Sequence, residues 1–358
     1  MTNKILENKK ILVVGGAGFV GSNLVEELLK YSPKEILIID NLLSSNSSNI
    51  PSDNCINFIF GSINEHTVLE KIPPDIDYVF HLACFHGNQS SIYNPIEDHK
   101  NNTFTTLNLF NKLSSFEKIK KVVYASAACA VAKKTYDKPK PTTEDDPISL
   151  YHDSPYSISK VIGEFYGNYF FIRHGLPIVK ARFSNVYGPK EILGAGKWRG
   201  TIHSIWRNVI PTFIWRSIMG EPLYLDNNGE GIRDFIYVKD MARGLINCAT
   251  KGEKGEVYNL ASGKGTTIIE LATLIKKLLN SSSEIILLPP RDWDRSGKRF
   301  ACTMKSREKI DFEAKVTIEE GILETIEWTK RNQALIQRNI NSHHIHLKDD
   351  EENLKFVK

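Results

Sequence analysis

The sequence predicts an α/β protein: a doubly wound parallel sheet with a smaller C-terminal lobe. Three observations carry the prediction. Short β-rich apolar runs alternate with helical patterns through the first half of the chain. A glycine triplet stands at the first strand-to-helix junction. After about residue 190 the rhythm changes to stretches dense in Gly, Trp and Arg. Alternation of this kind builds parallel sheets, because a parallel neighbour is reached only by a crossover, usually a helix.

The elements follow in order. "KILVVGG" is a continuous apolar run, as expected of a strand buried on both faces, and "FVGSNLVEELLKY" carries apolar residues at helical spacing. "EILIID", "INFIFGSI" and "DYVFHLA" read as the second, third and fourth strands, "TFTTLNLFNKLSS" as a helix and "KKVVYAS" as the fifth strand. "SPYSISKVIGEFYGNYFFIRHG" is a helix with Pro155 at its start and Gly175 just past its end. "LPIVKARFSNVYGP" is a further strand and turn. Residues 1–190 are read as the sheet domain, which also receives about 230–262 ("GIRDFIYVKDMARGLINCA"). Residues 191–330 are mainly the second lobe, and 331–358 a polar, solvated tail in which His343, His344 and His346 are not metal ligands.

The totals exclude several classes. The 358 residues are 41% hydrophobic and 25% charged, with a formal net charge of +4. That suits a soluble two-lobed protein with a sizeable core and gives no basic stripe for nucleic acid. No apolar run is long enough to span a membrane, and "MTNKILENKK" lacks the apolar core of a signal peptide. The five cysteines (Cys55, Cys84, Cys129, Cys248, Cys302) are scattered without metal-ligand spacing. Reduced thiols, a cytoplasmic setting and no metal are expected.

Two motifs carry chemistry. Gly15, Gly18 and Gly21 lie between the first strand and its helix, where glycine permits a tight turn and lets backbone N–H groups and the helix N-terminus meet a pyrophosphate. Asp40 ends the next strand. An acidic side chain there accepts from the adenosine ribose hydroxyls and repels a 2′-phosphate, which predicts NAD(H) over NADP(H). "YSISK" then places Tyr156 and Lys160 four apart on one helix face. An ammonium beside a phenol favours the phenolate, and the tyrosine can take a hydroxyl proton as hydride leaves carbon.

With these motifs, "GGAGFVG", "IIDN", "HLA", "KNNTFTTLNL", "VVYAS", "YSISK", "ARFSNVYGP" and "GIRDFIYVKD" resemble the extended short-chain dehydrogenase/reductases of the NAD-dependent nucleotide-sugar epimerase/dehydratase family, over roughly residues 9–330. The resemblance implies a Rossmann-type NAD domain and a C-terminal lobe for a nucleotide diphosphate sugar. It implies Gly15, Gly18, Phe19, Val20 and Gly21 at the pyrophosphate, Asp40 and Asn41 at the adenosine ribose, and Leu82 and Ala83 along the cofactor. Ser62, followed by Ile63, stands where the family often has Asp near adenine. Tyr156 is implied as acid/base, with Lys160 on the nicotinamide ribose. Phe183, Asn185 and Val186 fall near nicotinamide and substrate. Arg233 is implied at the diphosphate, Asn208 and Phe213 near nucleotide and sugar, and Arg295 or Arg299, or Arg291, at phosphate or ribose. "GAGKWRG" is a candidate sugar-side loop. Many relatives pair through the Tyr156 helix, so a homodimer is expected.

The small residues of "VVYASAACAVA" narrow the reaction. Family dehydratases and decarboxylases resemble Ser/Thr followed by an acid where this chain has Ala127 and Ala128. Members epimerising at C3 and C5 resemble a cysteine at Cys129 paired with a His or Lys, where this chain has "NVI" from Asn208. What remains is reversible oxidation at C4 of an NDP-hexose through a 4-keto intermediate, in a 4-epimerase or a 4-dehydrogenase; a non-catalytic binder of NAD and sugar nucleotide is the different-class alternative. Ala127 lacks the hydroxyl that would share the substrate proton with Tyr156. Ser126, one position earlier, joins the catalytic set only if a local twist re-aims it; His86 or Ser90 is the other candidate to fill the gap on the substrate side. Ala127→Ser is expected to keep or raise turnover and Tyr156→Phe to abolish it, read by absorbance of reduced nicotinamide when sugar nucleotide is added. Loss of activity in a folded Ala127→Ser protein would show that the sugar occupies that space.

Overall fold

The computed structural model describes residues 4–128, 139–292 and 297–347; Cys129 and Arg295 lie outside them. The strands are β1 (Lys10–Val14), β2 (Glu35–Asp40), β3 (Ile56–Phe60), β4 (Tyr78–His81), β5 (Lys121–Ala127), β6 (Ile178–Phe183), β7 (Asn185–Tyr187), β8 (Leu223–Leu225), β9 (Ile232–Tyr237), β10 (Val257–Leu260), β11 (Gly265–Thr267) and β12 (Ile285–Leu287). Seven of them form one parallel sheet in the order β10-β6-β5-β4-β1-β2-β3. The order turns back between β1 and β4, so the crossovers diverge there and leave a crevice beyond the strands' carboxyl ends.

Alternation along β1 sorts the two cores. Ile11 and Val13 pack with Leu24, Val25 and Leu28 of the Phe19–Leu29 helix and with Met241 and Leu245 of the Val238–Lys251 helix. Leu12 and Val14 face the other way, onto Leu109, Phe110 and Leu113 of the Thr105–Leu113 helix. Strand and helix patterns thus select opposite layers of a doubly wound sheet. The Thr105–Leu113 helix differs from expectation at its start, where His99–Phe104 is π-helical.

Past Ser184 the chain leaves the sheet. β7 pairs parallel with β9, and β9 antiparallel with β11, while β8 pairs with β12. The helices Val209–Met219, Ile268–Leu279 and Ile318–Arg331 contribute to one apolar core with Tyr187, Leu223 and Phe235. The last two helices start with capping boxes, Thr267 with Glu270 and Thr317 with Glu320. Phe213 is corrected here: it is 4% exposed inside this core rather than in a binding wall. The Val238–Lys251 helix and β10 return to the large sheet.

The solvated tail is also corrected up to Leu347. Gln333–Asn341 is a helix whose Ile336 and Ile340 are buried against Ile192, Leu193, Ala195 and Trp215. The His343 ring nitrogen Nε2 lies 2.8 Å from Gly194 O, and the His346 ring stacks on Trp198 at 4.6 Å between centroids. The polar composition hid a two-residue apolar stripe that needs only one face to dock. Ile336→Ala is expected to cost about 2–5 kcal/mol, read as a lower urea midpoint; an unchanged midpoint would refute the docking.

Candidate active site

A cleft of about 400 Å³ runs across the carboxyl ends of the sheet and under the second lobe. Its first half is built by the glycine turn. Gly15 holds φ at +90°, and a Cβ there would stand 2.5 Å from Ala83 N; a Cβ on Gly21 would stand 2.1 Å from Gly15 O. No larger residue fits this approach of helix to strand. Gly18 begins the Phe19–Leu29 helix with no side-chain cap and no acid in the first turn, so no side chain of the helix itself competes for its first N–H groups. The turn fits a dinucleotide pyrophosphate. Phe19, Val20, Asn41, Leu82 and Ala83 line the same half, with Ser62 and Ile63 after β3.

Asp40 ends β2 beside this turn. Its Oδ2 accepts from Ala17 N at 3.0 Å; Oδ1 accepts from Leu42 N at 2.8 Å and Ser45 Oγ at 3.0 Å. Burial pushes its pKa up, and the hydrogen bonds oppose that shift. The carboxyl lines the cleft and also fastens the glycine turn to the next loop, a second task that spacing alone does not reveal.

The Pro155–His174 helix delivers the proton-transfer pair. Ser154 caps it by accepting from Ser157 N, and Gly175 ends it at φ +68°. Gly163 lets the helix lie against β5, since a Cβ there would meet Tyr124 Oη at 2.0 Å. That approach brings Lys160 Nζ to Ala125 O at 2.9 Å and to 5.6 Å from the centre of the Tyr156 ring. Tyr156 N–H donates to Ser91 Oγ at 3.2 Å, and the His86 ring meets the tyrosine ring edge-on at 5.7 Å. Asn102, in the π-helical turn, ties these parts together: Oδ1 accepts from Phe85 N at 2.6 Å, and Nδ2 donates to Ser159 Oγ at 3.2 Å. π-Helical turns recur where a side chain must be re-aimed at a site.

Ser126 is corrected. It lines the cleft, but its hydroxyl is committed to Glu164 Oε1 at 2.6 Å. Glu164 in turn takes Arg182 through two bonds, Nε at 2.9 Å and Nη2 at 2.8 Å. Sequence reasoning missed this ion pair. Glu164 stands four residues past Lys160, which was a signal, but its partner comes from another strand.

On the substrate side, Phe183, Asn185, Val186, Asn208, His86, Arg233 and Arg299 all line the cleft. Arg233 donates from Nη1 to Gly297 O at 2.6 Å and Ile232 O at 2.9 Å. Its neighbour Asp234, another residue sequence reasoning missed, accepts from Ser262 N, Ser262 Oγ, Gly263 N and Ala301 N and so clamps the loops around the arginine. Ser90 is corrected: it is buried in the Asn88–Tyr93 helix and is not among the cleft-lining residues. Arg291 pairs with Asp226 away from that lining. In the "GAGKWRG" loop, Arg199 donates to His86 O and His203 O, and Lys197 N–H to Leu43 O. The loop therefore touches both halves of the cleft.

Comparison with known proteins places the chain. The family model described as the NAD dependent epimerase/dehydratase family matches residues 11–261. The structure of the Bordetella bronchiseptica enzyme WbmF in complex with NAD+ and UDP superposes with a TM-score of 0.87 at 49% identity, over 95% of this chain and 98% of that one. A putative UDP-glucose 4-epimerase of Methanocaldococcus jannaschii is 31% identical over 90% of this chain and 99% of its own length. A UDP-N-acetyl-alpha-D-glucosaminuronate decarboxylase of Bacillus cytotoxicus is 30% identical over 89% of this chain and 97% of its own. Relatives of both reaction outcomes match along nearly their whole length. With the glycine turn, the Tyr156–Lys160 helix and this match over most of the chain, the protein belongs to the NAD-dependent epimerase/dehydratase family of nucleotide-sugar enzymes.

Proposed function

We propose that the chain is a nucleotide-sugar 4-epimerase that oxidises C4 of an NDP-hexose reversibly through a 4-keto sugar. NAD bound in the cleft supplies the hydride acceptor and donor. Tyr156 takes the 4-hydroxyl proton and returns it, and Lys160 holds the phenol's charge. Gly15, Gly18 and Gly21 take the pyrophosphate, Asp40 and Asn41 the adenosine ribose, Arg233 and Arg299 the substrate diphosphate, whose charge suits a guanidinium fork. Asn185, Asn208 and His86 face the sugar.

The carrying observation is the wall beside Tyr156. Elimination of water or loss of carbon dioxide needs an acid or a positioning group there, and the wall offers Ala127 and Ala128. Rotation and re-reduction of a keto sugar need nothing beyond the tyrosine. A 4-dehydrogenase, which releases the ketone, uses the same residues. Mass analysis of products from a panel of sugar nucleotides, UDP-sugars first because the relatives' names carry UDP, separates these outcomes. Unchanged mass with inverted C4 is expected; loss of two hydrogens would make it a dehydrogenase, and loss of water or carbon dioxide would sink the reading.

The working form is proposed to be a homodimer. Ile158, Phe165, Tyr169 and Ile172 stand exposed at helical spacing along one stripe of the Pro155–His174 helix, beside exposed Phe104. A second copy of the same helix covers such a stripe by two-fold symmetry. Light scattering is expected to give twice the chain mass, and Phe165→Glu with Ile172→Glu to halve it; a monomeric starting protein would refute the proposal.

A further inference from the structure

Behind Asn208 and His86 on the sugar side stands a carboxyl, Glu191, that has no assigned task, and the three form one chain of polar side chains. It runs from Glu191 through Asn208 to His86 and ends against the Tyr156 ring. Asn208 Nδ2 donates to Glu191 Oε1, and Asn208 Oδ1 lies 3.4 Å from His86 Nε2, at the long end for a hydrogen bond. All three residues line the cleft. Glu191 Oε2 is buried with no partner among the described residues, so Asn208 is the one side-chain hydrogen bond this carboxyl makes there. A carboxyl is costly to place so: burial pushes Glu191 up to about 7, with the Asn208 hydrogen bond and the nearby Arg207 charge opposing the shift.

The geometry dictates a proton inventory. An ionised Glu191 only accepts, so above the carboxyl's pKa of about 7 Asn208 turns its NH₂ toward the carboxyl and its carbonyl toward the ring. An amide oxygen only accepts, so the ring nitrogen facing it, Nε2, carries the proton. In an uncharged imidazole the other nitrogen, Nδ1, is then a bare acceptor. The ring is uncharged: burial, with Arg199, Arg207 and Lys160 nearby, holds His86 down at about 4. Among the described residues His86 makes its one side-chain hydrogen bond through Nε2, which leaves Nδ1 to the cleft that the residue lines. Arg199 Nη1 holds the backbone at His86 O, and the ring stands edge-on to Tyr156.

We propose that Glu191 is a positioning residue that, through Asn208, fixes His86 in its Nε2–H form, so that Nδ1 accepts a hydrogen bond from a hydroxyl of the bound sugar beside Tyr156, on the side where Ala127 supplies none. The inference rests on the epimerase reading above for the identity of the ligand as a sugar. It makes Glu191 and Asn208 an orienting pair for one imidazole, the logic by which a carboxylate fixes the tautomer of a working histidine in other enzymes.

The test uses the full chain loaded with NAD. In ¹⁵N-histidine spectra at pH 8, where Glu191 is ionised, His86, identified by its loss in His86→Gln, is expected to be uncharged with the proton on Nε2, and its Nδ1 signal to shift when sugar nucleotide is added. Glu191→Leu is expected to give a mixture of both ring tautomers and at least a tenfold lower kcat/KM with NAD content unchanged. Glu191→Gln, which keeps an acceptor facing Asn208, is expected to restore the single tautomer and bring kcat/KM within threefold of the starting protein. If Glu191→Leu does not fold, Asn208→Leu makes the same break in the chain and carries the same expectations. A proton on Nδ1 in the starting protein, an unaltered tautomer in Glu191→Leu, or equal losses in Leu and Gln variants would each overturn the inference. Failure of the starting protein to turn over any sugar nucleotide would instead sink the epimerase reading, while the tautomer measurement, which needs no turnover, still decides the Glu191–Asn208–His86 link.

Discussion

The buried ion pair between Arg182 and Glu164 is the constraint on which the cleft depends. Arg182 rises from β6 and Glu164 from the tyrosine helix, and each is about 4% exposed. Their two parallel bonds would by themselves join one strand to one helix. Two further contacts widen the joint. Ser126 of β5 donates to the same carboxylate, and Arg182 Nη1 donates to Glu144 O at 2.9 Å. Glu144 in turn accepts from Asn259 N of β10 at 2.8 Å. Three neighbouring strands and the helix bearing Tyr156 and Lys160 are thus locked at their functional ends. Removing one partner of such a buried pair costs about 3–5 kcal/mol, because the other charge is stranded. The value of the pair lies less in net stability than in the fixed distance it imposes between helix and sheet.

That fixed distance explains the small side chains at the end of β5. The helix lies close because Gly163 has no Cβ, and Lys160 reaches the backbone of Ala125 because that strand end is not padded. Ser126 faces the helix and serves the ion pair; Ala127, its neighbour, lines the cleft without a hydroxyl. The missing hydroxyl at Ala127 and the used hydroxyl at Ser126 are therefore one arrangement. The cleft end of the strand, residues 125–127, commits its one serine to holding the helix, and the alanines leave the rest of that wall without a polar side chain.

Legibility divides along the same line. The glycine turn, the Asp40 strand end and the Tyr156–Lys160 spacing were readable because each is a short-range pattern whose geometry follows from one element's own period. The strands were readable because their apolar runs are buried on both faces, as the alternate packing of Ile11 and Leu12 shows. What escaped depends on distant partners. Glu164 was visible as a helical neighbour of Lys160, but nothing near it in the chain points to Arg182. Asp234 looked like a companion of Arg233, and only the fold brings Ser262, Gly263 and Ala301 to it. Phe213 was placed with the substrate by the family resemblance of its segment; that segment borders the cleft at Asn208, but five residues on, the helix carries Phe213 into the second core. The docked helix after Asn332 was masked by its charged surroundings, although Ile336 and Ile340 sit at helical spacing.

One stretch of chain, residues 190–208, ties the two halves of the cleft together at several points. Lys190 donates to Glu26 and to Asn49 O on the glycine-turn side. Lys197 N–H donates to Leu43 O and Arg207 Nη1 to Ser44 O, both in the loop after Asp40. The same stretch supplies Glu191, Arg199 and Asn208 to the sugar side. Its outer surface is closed by the Gln333–Asn341 helix and by His343 on Gly194 O. Backbone carbonyls accept most of these bonds, so their geometry is set by the path of the chain and not by flexible side-chain ends. A segment held in this way cannot move at the loop after Asp40 without moving at His86, so the glycine-turn end and the His86 end of the cleft are shaped together.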